Sequence, residues 1–145
     1  MTRVKDVITM KVPFPNITGN LALRPHMYIC IEDGTDKKFL SCQTRKPTNI
    51  LKDVPPYIYI EESNNINRNP FTWPTLIGCD YAFEMKDIHV DRSLLARKRR
   101  DVCEELYEEI SLKIKHDSFF YELMNEIELL SLNRSLSKVN KETAS

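Results

Sequence analysis

The sequence predicts an α+β protein in which a small, strongly bent antiparallel sheet is followed by C-terminal helices. Short apolar runs with alternating or β-branched residues, separated by turn residues, fill the first two thirds of the chain. The last third changes to an apolar period of three to four residues, which is typical of amphipathic helices. Many short strands with a helix packed behind them also favour closure of the sheet into a small barrel.

Six strands are predicted in the first two thirds. In the first of them, Ile8, Met10 and Val12 alternate with polar residues, which indicates a half-buried strand. The segment EDGTDKK around Gly34 has the composition of a hairpin turn, where glycine adopts a positive φ without steric cost. The predicted strands cover residues 4–12, 27–32, 38–43, 57–61, 75–83 and 86–90.

Two helices are predicted in the last third. Asp101 and Glu104 have the spacing of a capping box, and apolar residues recur every fourth position after them, which predicts a helix over residues 102–115. Its glutamate-rich side is expected to face solvent. A second helix is predicted over residues 117–132. We therefore expect a single domain over residues 1–132 and a flexible polar tail over residues 133–145.

The overall composition limits the function. A chain of 145 residues has the size of one domain. Its 21 basic and 21 acidic side chains balance, which excludes a globally basic nucleic-acid binder and leaves only a local basic patch for a polyanion. The absence of a signal peptide and of an apolar run as long as a membrane span predicts a cytoplasmic protein that does not enter membranes.

The cysteines and histidines do not form a recognisable metal motif. Cys30, Cys42, Cys79 and Cys103 lie at least twelve residues apart, and the three histidines are scattered. Most of the cysteines lie in apolar runs, which indicates reduced core residues and not a disulfide framework. We expect no metal and no cofactor.

The segment VPFPNITGNLALRP contains the main candidate for chemistry. Pro13 and Pro15 end strand pairing, because proline has no amide to donate, and they leave a polar loop free of the sheet. Arg24 lies where this loop returns to the sheet, and its planar guanidinium is suited to a pair of phosphate oxygens. The alternative is a surface arginine paired with a carboxylate such as Asp6 or Asp33.

Two segments of the chain resemble a known family. DVITMKVPFPNITGNLALRPHMYICI resembles the opening of the MazF/PemK-like toxin family, whose members begin with a strand, a VPFP-type exit, a polar loop and an Arg-Pro pair. PTLIGCDYAFEMKDIHVDRSLL resembles the closing strands of that family. The resemblance implies an SH3-like barrel, usually a homodimer, that cleaves single-stranded RNA without a metal and inhibits growth. It also implies an antitoxin partner whose disordered segment occupies the RNA groove.

The resemblance also assigns site residues. It places the catalytic arginine at Arg24 and a catalytic threonine at Thr44 in FLSCQTRKP, with Ser41 as the other registration. Some family members carry a glutamate or glutamine in the loop before the Arg-Pro pair. Here that loop contains residues 18–22, TGNLA, so a carboxylate base is missing.

Cleavage of this kind requires attack of a ribose 2′-hydroxyl on the adjacent phosphorus. Arg24 is expected to stabilise the negative charge that develops, and Thr44 to orient the phosphate. His26 is the histidine next to this centre, and its ordinary pKa suits a proton shuttle. The alternative is a hydrogen-bonded strand histidine.

Basic and aromatic side chains supply the candidate RNA contacts. Basic residues flank the hairpin and its exit, either as a phosphate-binding patch or as a solvated turn. The two aromatic residues of NPFTWPT either stack on bases or close the end of the barrel. The residues predicted to bind RNA are Asn20, Lys37, Lys38, Arg45, Lys46, Phe71 and Trp73.

Two features leave alternatives open. The run RKRR at residues 97–100 is expected to pair with the glutamates of the following helix rather than bind nucleic acid. A catalytically silent small barrel that binds RNA or a protein partner, including a relative that inhibits a topoisomerase, is the competing function, because a shared fold does not fix activity.

Overall fold

The computed structural model describes residues 2–12, 26–44 and 56–139. Within these ranges it contains nine strands, two α-helices and a 3-10 helix at Arg92–Leu94. The α+β prediction is therefore confirmed. The strands are β1 (Val7–Met10), β2 (His26–Glu32), β3 (Asp36–Thr44), β4 (Tyr59–Glu62), β5 (Thr75–Gly78), β6 (Tyr81–Lys86), β7 (Ile88–Val90), β8 (Phe120–Leu123) and β9 (Leu136–Lys138). The helices are α1 (Glu104–Lys113) and α2 (Glu126–Leu132).

Strand β3 organises the main sheet. The strand order is β1-β2-β3-β5-β4, and β6 pairs with the first half of β3 while β5 pairs with its second half. Cys42 of β3 pairs with Ile77 of β5, and Phe39 of β3 pairs with Phe83 of β6. Between these pairs, two residues of β3 (40 and 41) lie opposite five residues of the β5–β6 segment (78–82). This bulge divides the strand predicted at 75–83 into β5 and β6 and bends the sheet.

The sheet does not close into a barrel within the described ranges. Strands β1 and β4 lie at opposite ends of the strand order and do not pair with each other. Isolated bridges from Ile8 to Leu95 and from Asp6 to Asp101 bring residues 95–101 to the outer edge of β1. The predicted barrel closure is therefore corrected to an open sheet, because another segment of the chain takes the edge that closure needs.

Both faces of the sheet are buried along its central strands, whereas β8 at its edge is exposed. One face packs against Leu106 and Ile110 of α1, and we call it the α1 face; it carries Val7, Ile29, Leu40 and Ile77. The other face packs against Leu129 of α2, and we call it the α2 face; it carries Ile8, Tyr28, Phe39 and Phe83. The prediction that the first strand is half-buried is therefore wrong, since Val7 and Ile8 are both fully buried on opposite faces.

Helix α1 is shorter than the predicted 102–115 helix and has a different cap. Its N-cap is Cys103, whose Sγ accepts a hydrogen bond from the Leu106 amide at 3.4 Å. Asp101 instead forms an ion pair with Arg99 at 3.0 Å, so the predicted capping box does not form. The predicted apolar stripe is confirmed at Leu106 and Ile110, which are both buried.

The segment after α1 differs most from prediction. Residues 117–132 form a strand, β8, followed by α2, and not one helix. Strand β8 runs parallel to β6 and occupies its free edge, which gives the aromatic residues of FFYEL a sheet environment. The unpaired edge of β6, which is distant in sequence, thus favours a strand over a helix at residues 120–123.

The ordered chain also continues beyond the boundary predicted at residue 132. Asn133 is buried, and its side chain exchanges two hydrogen bonds with the Lys11 backbone at 2.8 and 2.7 Å. Strand β9 then pairs with β7. Residues 133–139 are therefore part of the fold, while residues 140–145 of the predicted tail lie outside the described residues.

The cysteines agree with the sequence prediction. Cys30, Cys42 and Cys79 are buried, and all four cysteines are free thiols. Burial raises the pKa of Cys30 and of Cys79 to about 12 each, and it also raises the pKa of Cys42. These thiols are therefore protonated core side chains and not nucleophiles.

The basic run RKRR is split between two roles. Arg100 donates from Nε and Nη2 to the carboxylate of Asp6 at 2.8 and 2.9 Å, and Asp6 is almost fully buried. Arg99 pairs with Asp101 at 3.0 Å. The expected pairing of this run with the helix glutamates is corrected for these two arginines, because residues 95–101 lie along β1 and meet the carboxylates there.

Replacing Arg100 by glutamine should lower the free energy of unfolding by about 2 kcal/mol, because it leaves the Asp6 carboxylate without its charged partner. Arg99→Gln is the matched control. It removes a more exposed pair and should cost less than about 1 kcal/mol. Urea denaturation of both variants checks this. Equal losses would show that the Asp6 pair does not anchor β1.

Candidate functional site

The strand ends bring the candidate residues to one end of the sheet. Strand β1 ends at Met10 and β2 begins at His26, while β3 ends at Thr44 and β5 begins at Thr75. We call this end of the sheet the loop end. The connections between these strands, residues 13–25 and 45–55, lie outside the described residues, and they include the predicted site residues Asn20, Arg24, Arg45 and Lys46.

Thr44 is exposed at the last position of β3. It pairs with Thr75, whose Oγ1 donates a hydrogen bond to the Trp73 carbonyl at 2.8 Å. Thr44 lies two residues beyond Cys42, which is in the core of the α1 face, so alternation along the strand puts Thr44 on that face. Its position suits a side chain that contacts a ligand at the loop end.

His26 and Ser41 lie on the other face. His26 pairs with Met10, which belongs to the core of the α2 face. Ser41 follows Phe39 by two residues, and its Oγ is buried close to Gly78. The structure therefore brings neither residue together with Thr44. Of Thr44 and Ser41, the two residues considered for the threonine or serine of the site, Thr44 is the one whose side chain is exposed.

A carboxylate that the sequence does not indicate lies in the same row as Thr44. Thr75 pairs with Thr44 on one side and with Glu62 on the other, so Glu62 lies about 10 Å from Thr44, two strand spacings away. Its carboxylate accepts hydrogen bonds from Asn69 Nδ2 at 2.7 Å and from Arg68 Nε at 3.0 Å. The sequence alone does not reveal this residue, because its position depends on the β4–β5 register.

The Glu62 contacts hold the segment that follows β4. Asn69 is fully buried, and its Oδ1 accepts the Phe71 amide at 3.1 Å. Arg68 also reaches Glu109 of α1 at 3.4 Å, and its hydrogen bond to Glu62 raises its pKa. Glu62 is therefore committed to holding residues 63–74 against the α1 face.

Lys37 and Lys38 are far from Thr44. Both lie at the start of β3, and the seven residue steps from Lys37 to Thr44 span about 23 Å of strand. Lys37 Nζ donates to the carbonyls of Gly34 and Ile88 at 2.9 Å each, and burial lowers its pKa. The predicted patch that combines these lysines with the exit of β3 is therefore corrected, because an extended strand separates the two ends.

Lys38 is also engaged in the sheet. Its Nζ pairs with Glu32 at 2.9 Å and lies 3.9 Å from the centroid of the Tyr121 ring. These contacts connect β2, β3 and β8 on one face. Lys38 is a cross-strand link and not a phosphate contact at the loop end.

The two aromatic candidates have different environments. Phe71 is only 5% exposed and packs in the core of the α1 face, so the prediction that it stacks on bases is corrected to a core role. Trp73, two residues later, is 63% exposed. Trp73 thus remains available for stacking beside the loop end.

A groove lies on the α1 face beside these residues. It has a volume of about 460 Å³ and runs between residues 70–72 and residues 93–98. We call it the basic groove because its charged lining residues are Arg97 and Lys98. It is lined by Thr9, Met27, Pro70, Thr72, Ser93, Leu94, Leu95, Ala96, Arg97 and Lys98.

The described ranges contain no group of three histidine, cysteine or acidic side chains arranged to hold a metal ion. They also contain no helix of sufficient length and apolar character to cross a membrane.

Fold and site together define a class of protein. It is a small α+β protein with an open, bent sheet that presents an exposed threonine, an exposed tryptophan and a basic groove near one end. Comparisons with protein-family models, with curated proteins and with solved structures gave no match.

Proposed function

We propose that this protein is a metal-independent endoribonuclease that cleaves single-stranded RNA, the toxin of a toxin–antitoxin pair. The observation that carries the proposal is the position of Thr44, the residue assigned by the resemblance. It is exposed at the end of β3, beside Thr75 and the exposed Trp73 segment. The connection that contains Arg24 joins β1 to β2 at the same end of the sheet.

Asp6 and Asp33, the carboxylates named as alternative partners of Arg24, both accept hydrogen bonds from other residues. The Asp6 carboxylate already accepts two hydrogen bonds from Arg100 and one from the Arg3 amide. Asp33 Oδ2 accepts the Val4 amide at 3.0 Å, and Asp33 follows the last residue of β2, whereas Arg24 precedes the first. The seven-residue strand β2, about 20 Å long, separates Asp33 from the end of the sheet at which the connection containing Arg24 joins β2.

The proposed reaction uses the RNA as its own nucleophile. The 2′-hydroxyl gives up its proton to water as its oxygen forms a bond to the adjacent phosphorus. The bond from phosphorus to the 5′-oxygen breaks, and the leaving 5′-oxygen takes up a proton from water, so the products carry a 2′,3′-cyclic phosphate and a 5′-hydroxyl. Arg24 donates paired hydrogen bonds to the non-bridging oxygens as charge develops on them. Thr44 orients the phosphate. Because Glu62 is held by Asn69 and Arg68, we assign it no proton-transfer role.

Thr44→Ala tests the assignment. Purified protein incubated with a long single-stranded RNA in EDTA should give discrete fragments with cyclic-phosphate and 5′-hydroxyl ends. We expect the variant to cleave roughly tenfold or more slowly, because it loses a positioning contact. Thr35→Ala, an exposed threonine in the turn at the far end of β3, is the control and should cleave normally. Intact RNA from folded wild-type protein would favour a binding role without catalysis.

The biological part of the proposal is tested in cells. Such a toxin acts in the cytoplasm, as a homodimer, and is neutralised by a cognate antitoxin protein. Overexpression in a bacterium should arrest growth with fragmentation of bulk RNA. Arrest with intact RNA and altered DNA supercoiling would instead support the topoisomerase-inhibitor alternative.

A further inference from the structure

We propose that the basic groove binds the backbone of single-stranded RNA, with Arg97 and Lys98 as its phosphate contacts and Trp73 as a stacking surface for a base. The inference rests on the proposed function for the identity of the polyanion. It adds a substrate-binding surface whose charged residues, Arg97 and Lys98, lie outside the strands and their loops at the loop end.

Among the described residues, no acidic side chain pairs with Arg97 or Lys98. Arg99 and Arg100 of the same run are held by Asp101 and Asp6. Arg97 and Lys98 are exposed, and neither makes an ion pair with any residue in the described ranges. No acidic side chain from those ranges lines the groove. The groove is thus the local basic patch that a chain of zero net charge needs to bind a polyanion.

The lining of the groove suits a nucleotide chain. Its volume of about 460 Å³ falls in the range of roughly 300–1,000 Å³ that is usual for ligand clefts. Met27, Pro70 and Ala96 give it an apolar lining. The hydroxyl-bearing residues Thr9 and Thr72 also line it, and hydroxyls are common donors to phosphate oxygens. An acidic peptide would use the two charges but would gain less from an aromatic surface than a nucleobase does.

The groove lies on the same face of the sheet as Thr44, one strand away from it. Met27 of the groove pairs with Cys42, and Thr44 follows Cys42 by two residues on the same face. At the other side of the groove, Thr72 precedes the exposed Trp73. A single strand bound in the groove would therefore lie near both a stacking surface and the threonine proposed to orient the scissile phosphate.

Binding can be measured without cleavage. The probe is a short 2′-O-methyl oligouridylate, which lacks the nucleophilic hydroxyl, and the readout is the fluorescence of Trp73, the single tryptophan of the chain. Wild-type protein should bind it with quenching of Trp73. The variant R97Q/K98Q is compared with K113Q/K115Q, which removes two exposed lysines at the end of α1.

The salt dependence distinguishes phosphate contacts from general charge. Between about 50 and 200 mM salt, loss of two phosphate contacts should reduce the slope of log K against log salt by about 1.4, that is about 0.7 for each contact. We expect this reduction in R97Q/K98Q and an unchanged slope in K113Q/K115Q. Equal slopes in the two variants, or binding without quenching of Trp73, would overturn the inference.

The outcomes separate this inference from the proposed function. If R97Q/K98Q cleaves ordinary RNA with an unchanged KM, the groove is not the binding surface, although the protein is a nuclease. If the groove variant loses oligonucleotide binding but wild-type protein leaves RNA intact, the groove assignment stands and the nuclease proposal fails. Equally tight binding of poly-glutamate with the same dependence on Arg97 and Lys98 would overturn RNA as the occupant.

Discussion

Arg24→Ala should lower the rate of RNA cleavage by about 10²–10³-fold, because it removes a donor to the oxygens that become more negative in the transition state. Arg24→Lys should recover only part of this loss, since an ammonium group keeps the charge but not the planar fork. Rates are measured under single-turnover conditions, so that chemistry is separated from product release.

The control for this prediction is Arg92→Ala, which removes an exposed arginine from the 3-10 helix. It should cleave like the wild type. The melting temperature of Arg24→Ala should stay close to the wild-type value. A large fall in melting temperature would instead make Arg24 a structural residue, and a rate loss below tenfold in a folded variant would remove it from the catalytic centre.

Leu129→Ala should lower the free energy of unfolding by about 2–4 kcal/mol, because it leaves a cavity in the core of the α2 face. Leu129 is only 1% exposed and packs in the same cluster as Met124 and Leu136. The neighbouring Ile127 on the same helix is 80% exposed, and Ile127→Ala should change stability by less than about 0.5 kcal/mol. Urea denaturation with matched variants measures both effects.

This pair also tests whether α2 covers the sheet or forms a dimer surface. A stable Leu129→Ala variant would contradict the packing of α2 on the α2 face. If Ile127→Ala instead lowers the molecular mass in solution from dimer to monomer, the exposed side of α2 belongs to a subunit interface. Retention of mass together with the stability loss at Leu129 is the expected result.

Local sequence signals predicted the parts of the fold that depend on near neighbours. Gly34 has the positive φ of 103° expected in the hairpin turn. Leu106 and Ile110 form the buried stripe of α1. Both depend on residues within a few positions along the chain, so one sequence is enough to predict them.

Strand β8 shows why other elements were missed. Phe120, Leu123 and Ile127 have the three- and four-residue spacing of a helix stripe, and all three side chains are more than half exposed in the structure. The free edge of β6, nearly forty residues earlier in the sequence, selects the strand. The Arg100–Asp6 pair joins residues 94 positions apart and is likewise absent from any local pattern.

The candidate site was predicted in part for the same reason. The resemblance placed Thr44 at a strand end, and β3 ends at this residue, while its role stays a prediction. Its separation from Lys37, its distance from Glu62 and the opposite orientation of His26 follow from strand length and register, which a sequence does not state. Arg97 and Lys98 were expected to pair with the glutamates of the following helix because the run RKRR directly precedes that helix in the sequence.

The bulge between β5 and β6 has a consequence for how this protein tolerates insertions and deletions. It divides the sheet into two modules, both of which pair with β3. The first module, β6 and β8, lies along the half of β3 near the hairpin, and the second, β5 and β4, lies along the half that ends at Thr44. The turn at residues 33–35 adjoins the first module, where the Thr35 carbonyl accepts the Asp87 amide at 2.9 Å. Deleting Cys79 or Asp80, the two residues between β5 and β6, would shift the two modules relative to each other, so substrate-binding residues and scaffold can diverge at different rates on either side of that point.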